Sequence, residues 1–124
     1  MNIQNREHLA IHPKREGLFE CLIVGELLKD RFNRGLESNL YFWRNNHGDE
    51  IDLLLDQGRR LIPAELKSEE TLNTDFFKGL HKWGKLSKDT KSPAYLVYGG
   101  KEKLPQRGIQ AVPWKLASQE VQNH

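Results

Sequence analysis

Three strand-like runs follow one another between residues 40 and 67, and their spacing leaves few folds open. Leu40-Tyr-Phe-Trp-Arg44 is aromatic and short, and Glu50-Ile-Asp-Leu-Leu-Leu-Asp56 and Leu61-Ile-Pro-Ala-Glu-Leu-Lys67 are two further strand-like stretches. The link Asn45-Asn46-His47-Gly48 has several residues that tolerate positive φ, and Gln57-Gly58-Arg59 forms the second turn. Consecutive strands usually pair with one another. The three runs therefore predict an antiparallel meander. With a side-chain period of two, Ile51, Leu53 and Leu55 are expected on one face and Glu50, Asp52 and Leu54 on the other. In the second strand of the hairpin, Ile62, Ala64 and Leu66 share a face and Glu65 and Lys67 lie opposite them. The hairpin can thus carry Asp52, Glu65 and Lys67 on one surface. His47 reads as a turn residue rather than a ligand.

Helical patterns flank the meander. Leu18, Phe19, Leu22, Ile23, Leu27 and Leu28 recur at three- and four-residue spacings, and Asn33-Arg34-Gly35 supplies a stop. Cys21, the only cysteine, is expected as a small buried hydrophobe there, and no internal disulfide can form. Glu26 lies three residues after Ile23 and four after Leu22, toward the expected buried side. Helical geometry leaves it two placements: paired or metal-bound within the fold, or at the rim in water. Residues 71–87 predict a second helix, capped by Thr74 or Asp75, with Phe76, Phe77, Leu80 and Trp83 on its apolar face. Its Lys78, Lys82 and Lys85 form a basic stripe, which is ordinarily a solvated face and, in the minority reading, a phosphate-backbone contact.

Ala94–Tyr98 predicts a strand that returns beside an earlier one through a right-handed crossover. Residues 109–114 predict a final edge strand limited by Pro113. The order helix, three strands, helix, strand, strand makes an α/β fold around a mixed sheet flanked by helices. Its 124 residues fit one domain, expected over 17–116, with an arm or linker at 1–16 and a polar tail at 117–124. His8 and His12 in the arm stand four apart, but Pro13 opposes a helix, so they read as solvated. No apolar run reaches the roughly 18–20 residues that cross a bilayer, and the start is no signal peptide, so a cytoplasmic setting is expected. A net charge of +2 permits nucleic-acid binding without demanding it.

The chemistry implied by the hairpin is metal-assisted. A hard cation such as Mg²⁺, or Mn²⁺, takes oxygen ligands, usually one or two carboxylates plus water and phosphate. Asp52 and Glu65 can supply the carboxylates, the Leu66 backbone carbonyl a third oxygen, and Glu26 a further ligand or a link in a water network. Lys67 can orient water or offset charge developing on a phosphate. From spacing alone, an ordinary ion pair on adjacent strands competes with this reading.

Taken together, Glu26, Gly48-Asp-Glu-Ile-Asp52 and Pro63-Ala-Glu-Leu-Lys-Ser68 resemble the motifs of the PD-(D/E)xK nuclease superfamily. With Phe42-Trp43-Arg44, Phe76-Phe-Lys-Gly-Leu80 and Tyr98-Gly-Gly100, the chain is similar to the uncharacterised C-terminal domain that follows AAA+ ATPase modules in many predicted ATPases. The resemblance covers about Gly17 to Leu116. It implies a restriction-endonuclease-like α-β-β-β-α-β core, with Asp52 and Glu65 as metal carboxylates, Lys67 as catalytic lysine and Glu26 as the helix-borne acid. It implies Mg²⁺-dependent hydrolysis of DNA, an AAA+ partner in cis or trans, and pairing of two copies where duplexes are cut. Ile51 stands where the motif's name has proline, and the helix after Lys67 lacks a Gln-x-x-x-Tyr signature, with Lys78 and His81 in that region. No Gly-x-x-x-x-Gly-Lys-Ser/Thr stretch occurs, so the chain is expected to be the C-terminal portion of such an ATPase or a truncated product. The alternatives are a non-catalytic nucleic-acid- or protein-binding module, or a self-associating scaffold using aromatics such as Trp43 or Trp114.

Overall fold

A computed structural model describes residues 6–8, 17–89, 92–106 and 108–122. In chain order the strands are β1 (Arg6–His8), β2 (Leu40–Arg44), β3 (Glu50–Asp56), β4 (Leu61–Lys67), β5 (Ala94–Tyr98), β6 (Leu104–Gln106) and β7 (Ile109–Pro113). The helices are α1 (Gly17–Asn33), α2 (Lys78–Ser87) and α3 (Ala117–Gln122), with 3-10 turns at Thr74–Phe77 and Trp114–Leu116. The strands form one mixed sheet in the order β1-β2-β3-β4-β5-β7-β6.

The expected meander is present: β2, β3 and β4 pair antiparallel in sequence order. The segment through α2 then returns β5 parallel to β4, as a crossover requires. Pro63 is tolerated in this central strand because parallel pairing to β5 begins only at Ala64–Tyr95. The expectation for residues 109–114 is corrected. β7 is not an edge, since it lies between β5 and β6, and the three-residue β6 forms that edge. Leu104-Pro-Gln106 is too short, and its proline too disruptive, to give a period-two signal. The arm also holds more than expected, because Arg6–His8 pairs antiparallel with β2. His12 and Pro13 lie outside the described residues.

Helices cover both faces of the sheet. On one face Ile23, Val24 and Leu27 of α1 and Val121 of α3 pack on Leu53, Leu55 and Ile62, several of them wholly buried. Each such aliphatic side chain contributes about 1.5–3 kcal/mol on burial. The expected polar tail therefore opens with a helix that completes the core through Ala117 and Val121. On the other face Phe77, Leu80 and Trp83 pack on Leu54, Leu61 and Leu96. Trp43 meets Trp83 edge-on with centroids 5.2 Å apart, fixing β2 to α2. Trp43 is buried, so it presents no surface for self-association.

The α1 stripe is rotated from the expected one. Its buried arc centres on Ile23, Val24 and Leu27, and Phe19 and Leu28 pack partly against the core. Leu18 and Leu22 face water, and Cys21 is exposed rather than buried. The helix ends as its Gly35 foretells: at φ +74, Gly35 donates to the Phe32 carbonyl and Leu36 to the Arg31 carbonyl, a Schellman closure.

Candidate active site

Asp52 owes its position to a register shift. Leu40 and Tyr41 face Leu55 and Leu54, but Trp43 and Arg44 face Ile51 and Glu50. Asp52 and Leu53 therefore stand together opposite Phe42, which is a β-bulge in β3. The bulge overturns the face expected for Ile51. It packs with Leu54 in the core beneath α2, not with Leu53 and Leu55.

The same bulge opens the hairpin. The β3–β4 ladder runs from Asp56–Leu61 to Leu53–Ala64 and stops there. By the alternation set at the Gln57–Arg60 turn bond, the next hydrogen-bonded rung would fall at Leu66. Asp52 takes that rung with its side chain: Leu66 N–H donates to Asp52 Oδ2 at 3.0 Å. Because N–H and C=O of a strand residue point to the same side, the Leu66 carbonyl is aimed toward β3 as well.

Glu65, the adjacent residue of β4, is 7 % exposed. Its carboxyl is pushed up to about 10, first by burial, then by the charge of Asp52 and a hydrogen bond with the Asp52 carboxyl, against the pull of Lys67. Two acids thus crowd one site, and the raised member is Glu65. A dication would relieve that crowding, and two carboxylates with a carbonyl are a donor set that suits Mg²⁺ or Mn²⁺.

Lys67 lies two residues further along β4, half-buried, with its Nζ 5.6 Å from the Phe76 ring centroid. The aromatic ring before α2 thereby steers the ammonium beside the acid pair. α2 closes the site from above through Gly79, where a Cβ would fall 3.2 Å from Glu65 Oε1 and 3.6 Å from the Glu50 carbonyl oxygen. Neither Phe76 nor Gly79 was singled out by its chemistry. The available signal was a glycine at the start of an amphipathic helix, which often marks close approach.

α2 is seated by a clasp at the β2–β3 turn. Asn45 Oδ1 accepts from His47 N–H at 2.9 Å and Asp49 N–H at 3.0 Å, and Asn45 Nδ2 donates to Asp49 Oδ2 at 3.0 Å. The opposite oxygen of Asp49 pairs with Lys82 at 2.5 Å. Hydrogen bonds from Lys82 and Asn45 hold the Asp49 carboxyl below its usual range. His47 is a turn residue as expected.

The structure brings Asp52, Glu65, Leu66 and Lys67 together, and it leaves Glu26 out of the group. Glu26 is exposed on α1, whose buried arc lies on the sheet face opposite α2. Of the two sequence-level placements, it takes the one in water, because the stripe that would have turned it inward included the exposed Leu22. Among the described residues no three His, Cys, Asp or Glu side chains form a metal-holding cluster. The basic stripe is partly occupied too: Lys78 pairs with Asp75 at 2.9 Å and Lys82 with Asp49, which leaves Lys85 exposed between neither.

Fold and site define the class: a mixed α/β domain with a carboxylate pair and a lysine at the carboxyl end of its first parallel strand, where open α/β sheets hold ligands. The chain belongs to the family described as Domain of unknown function (DUF4143), whose profile matches residues 15–117. No curated protein matches the sequence. Among the described residues no helix is long and apolar enough to cross a membrane.

Proposed function

We propose that this domain is a metal-dependent nuclease of the PD-(D/E)xK type, with a restriction-endonuclease-like core, that hydrolyses DNA phosphodiester bonds in the cytoplasm. The observation that carries this reading is the Asp52–Glu65 carboxyl pair, with Glu65 buried, at a bulged, splayed hairpin with Lys67 beside it. Asp52, Glu65 and the Leu66 carbonyl would hold Mg²⁺ or Mn²⁺. The bound cation would supply a water of lowered pKa and offset charge on the phosphate. Lys67, steered by Phe76, orients that water or meets the charge developing on phosphate oxygens. The Leu66 amide fixes Asp52 through Oδ2 and so holds its carboxyl beside Glu65. On the resemblance of its motifs alone, the proposal extends to an AAA+ ATPase module as partner in cis or trans.

The test is cleavage of supercoiled plasmid and single-stranded DNA with Mg²⁺ or Mn²⁺. Asp52→Ala and Lys67→Ala should abolish it. Equal trace cleavage by wild type and Lys67→Ala would mean contamination and end the proposal. One observation favours the alternative of a non-catalytic nucleic-acid- or protein-binding module, namely that Glu26 does not join the acid pair. Under that reading calorimetry shows no Mn²⁺ uptake, and DNA or partner binding survives Glu65→Ala.

A further inference from the structure

α1 shows water a second apolar face. At about 100° per residue, Leu18, Leu22, Gly25, Lys29 and Phe32 fall on one line of the helix, diametrically opposite the buried Ile23, Val24 and Leu27. Leu18 is 85 % exposed, Phe32 58 %, Leu22 42 %, and Leu36 just past the helix end 41 %. A helix that covers a sheet ordinarily turns charge outward. Here only Lys29 interrupts the apolar line. The four large side chains leave on the order of 400 Å² of apolar surface in water, a patch of the size that marks an interaction site.

The arrangement of that patch says what fits it. Leu18 and Phe32 each stand seven residues from Gly25, and Cys21 and Lys29 each stand four away. Two α1 helices laid antiparallel with their Gly25 residues at the crossing would set Leu18 of one against Phe32 of the other, twice. A two-fold interface demands this self-complementarity, in which one patch serves both partners. Gly25 is exposed with nothing within 4 Å of a Cβ, so the backbones could approach closely there. Doubling the patch gives about 800 Å² from these side chains alone, below the roughly 1,200 Å² at which stable specific interfaces begin, which calls for a weak, reversible pair.

We infer that the outward face of α1 is where a second copy of this chain docks, antiparallel and two-fold about Gly25. This inference is independent of the carboxylate site and stands or falls separately from it.

Sedimentation equilibrium of the 124-residue chain over roughly 1–200 μM should show a monomer–dimer equilibrium. Gly25→Arg projects into open space in the monomer, so its melting temperature at low concentration should match or exceed that of wild type. The same variant should stay monomeric across the range, as should Leu18→Glu with Phe32→Glu. Register is read by oxidation with diamide. Lys29→Cys should give a covalent dimer through Cys21 of one copy and the new thiol of the other. Wild type should not crosslink, because its two Cys21 residues would stand eight positions apart, roughly 12 Å along the axis. A chain that is monomeric throughout, a dimer that survives Gly25→Arg, or ready Cys21–Cys21 crosslinking in wild type each overturns the inference. If a longer form of the protein protects the amides around Leu18 and Leu22 while the chain alone is monomeric, the face belongs to that added segment and the inference fails.

Discussion

Glu65→Gln should stabilise the protein at pH 8 while destroying its proposed metal site. The Glu65 carboxyl is pushed up from 4.5 to about 10 by burial and by Asp52, so between those values the folded state holds one proton more than the unfolded chain. The acid is raised, not lowered. Its contribution is therefore complete below about pH 4.5 and is progressively lost as pH rises toward 10. The loss approaches 1.36 kcal/mol per pH unit, or on the order of 3 kcal/mol between pH 5 and pH 8 with allowance for a proton shared with Asp52. Against a typical stability of about 5–15 kcal/mol this is large. Glutamine keeps the shape of the protonated acid and can still donate to Asp52, so the variant should lack this slope.

Urea unfolding followed by tryptophan emission measures the effect, because Trp43 and Trp83 are both buried and in contact. The quantity to plot is the stability difference between variant and wild type at each pH. Groups common to both proteins and remote from Glu65 then cancel, which leaves Glu65 and its coupling to Asp52. The difference should grow in the variant's favour from pH 5 to pH 8. Added Mn²⁺ at pH 8 should restore stability to wild type and not to the variant, since a ligand stabilises only the protein that binds it. Parallel stability curves between pH 5 and pH 8 would refute the reasoning.

Other substitutions probe the surroundings of the same pair. Gly79→Ala places a Cβ 3.2 Å from Glu65 Oε1, and alanine raises helix propensity by about 1 kcal/mol, so thermal stability should change little while Mn²⁺ affinity by calorimetry falls roughly tenfold. Lys88 closes α2 in the left-handed region at φ 58 and is exposed, so Lys88→Gly should stabilise by about 1 kcal/mol in urea melts. Gly99→Ala would put a Cβ 2.2 Å from the Ser68 carbonyl oxygen, where backbone must move. It should cost roughly 1–3 kcal/mol in the same melts, and an unchanged midpoint would show that the loop after β4 yields freely.

The meander and the crossover were legible because short turns and period-two runs leave one solution, and Asp52, Glu65 and Lys67 followed from it. What escaped the sequence was what one strand does to another. Nothing in Glu50–Asp56 announces that Asp52 and Leu53 will share a single partner, so a strict period of two puts Ile51 on the wrong face. The α1 stripe failed for a different reason. With apolar residues on two opposite faces, the pattern itself does not say which one meets the sheet, and so it leaves both placements open for Glu26. β1, β6 and α3 carry too few residues for any period to emerge, and only their pairing with longer neighbours or burial against the core defines them.

The bulge accounts for both the fold's irregularity and the site's chemistry. Without it, Asp52 would stand across a regular ladder from Glu65 with the rung at Leu66 filled by backbone. The extra residue in β3 removes that rung, and the side chain of Asp52 must satisfy the Leu66 amide. One Asp52 oxygen is thereby committed to structure, and its carboxyl is held against Glu65 in a place from which water is largely excluded. The cost of crowding two acids falls on the folded state and grows with pH. An arrangement that merely braced the hairpin would be better served by an amide at either position, since asparagine or glutamine could make the same hydrogen bonds without the charge. The destabilising carboxyl at Glu65 is what the proposed cation site would require, since a dication held between the two acids would offset the charge that burial penalises.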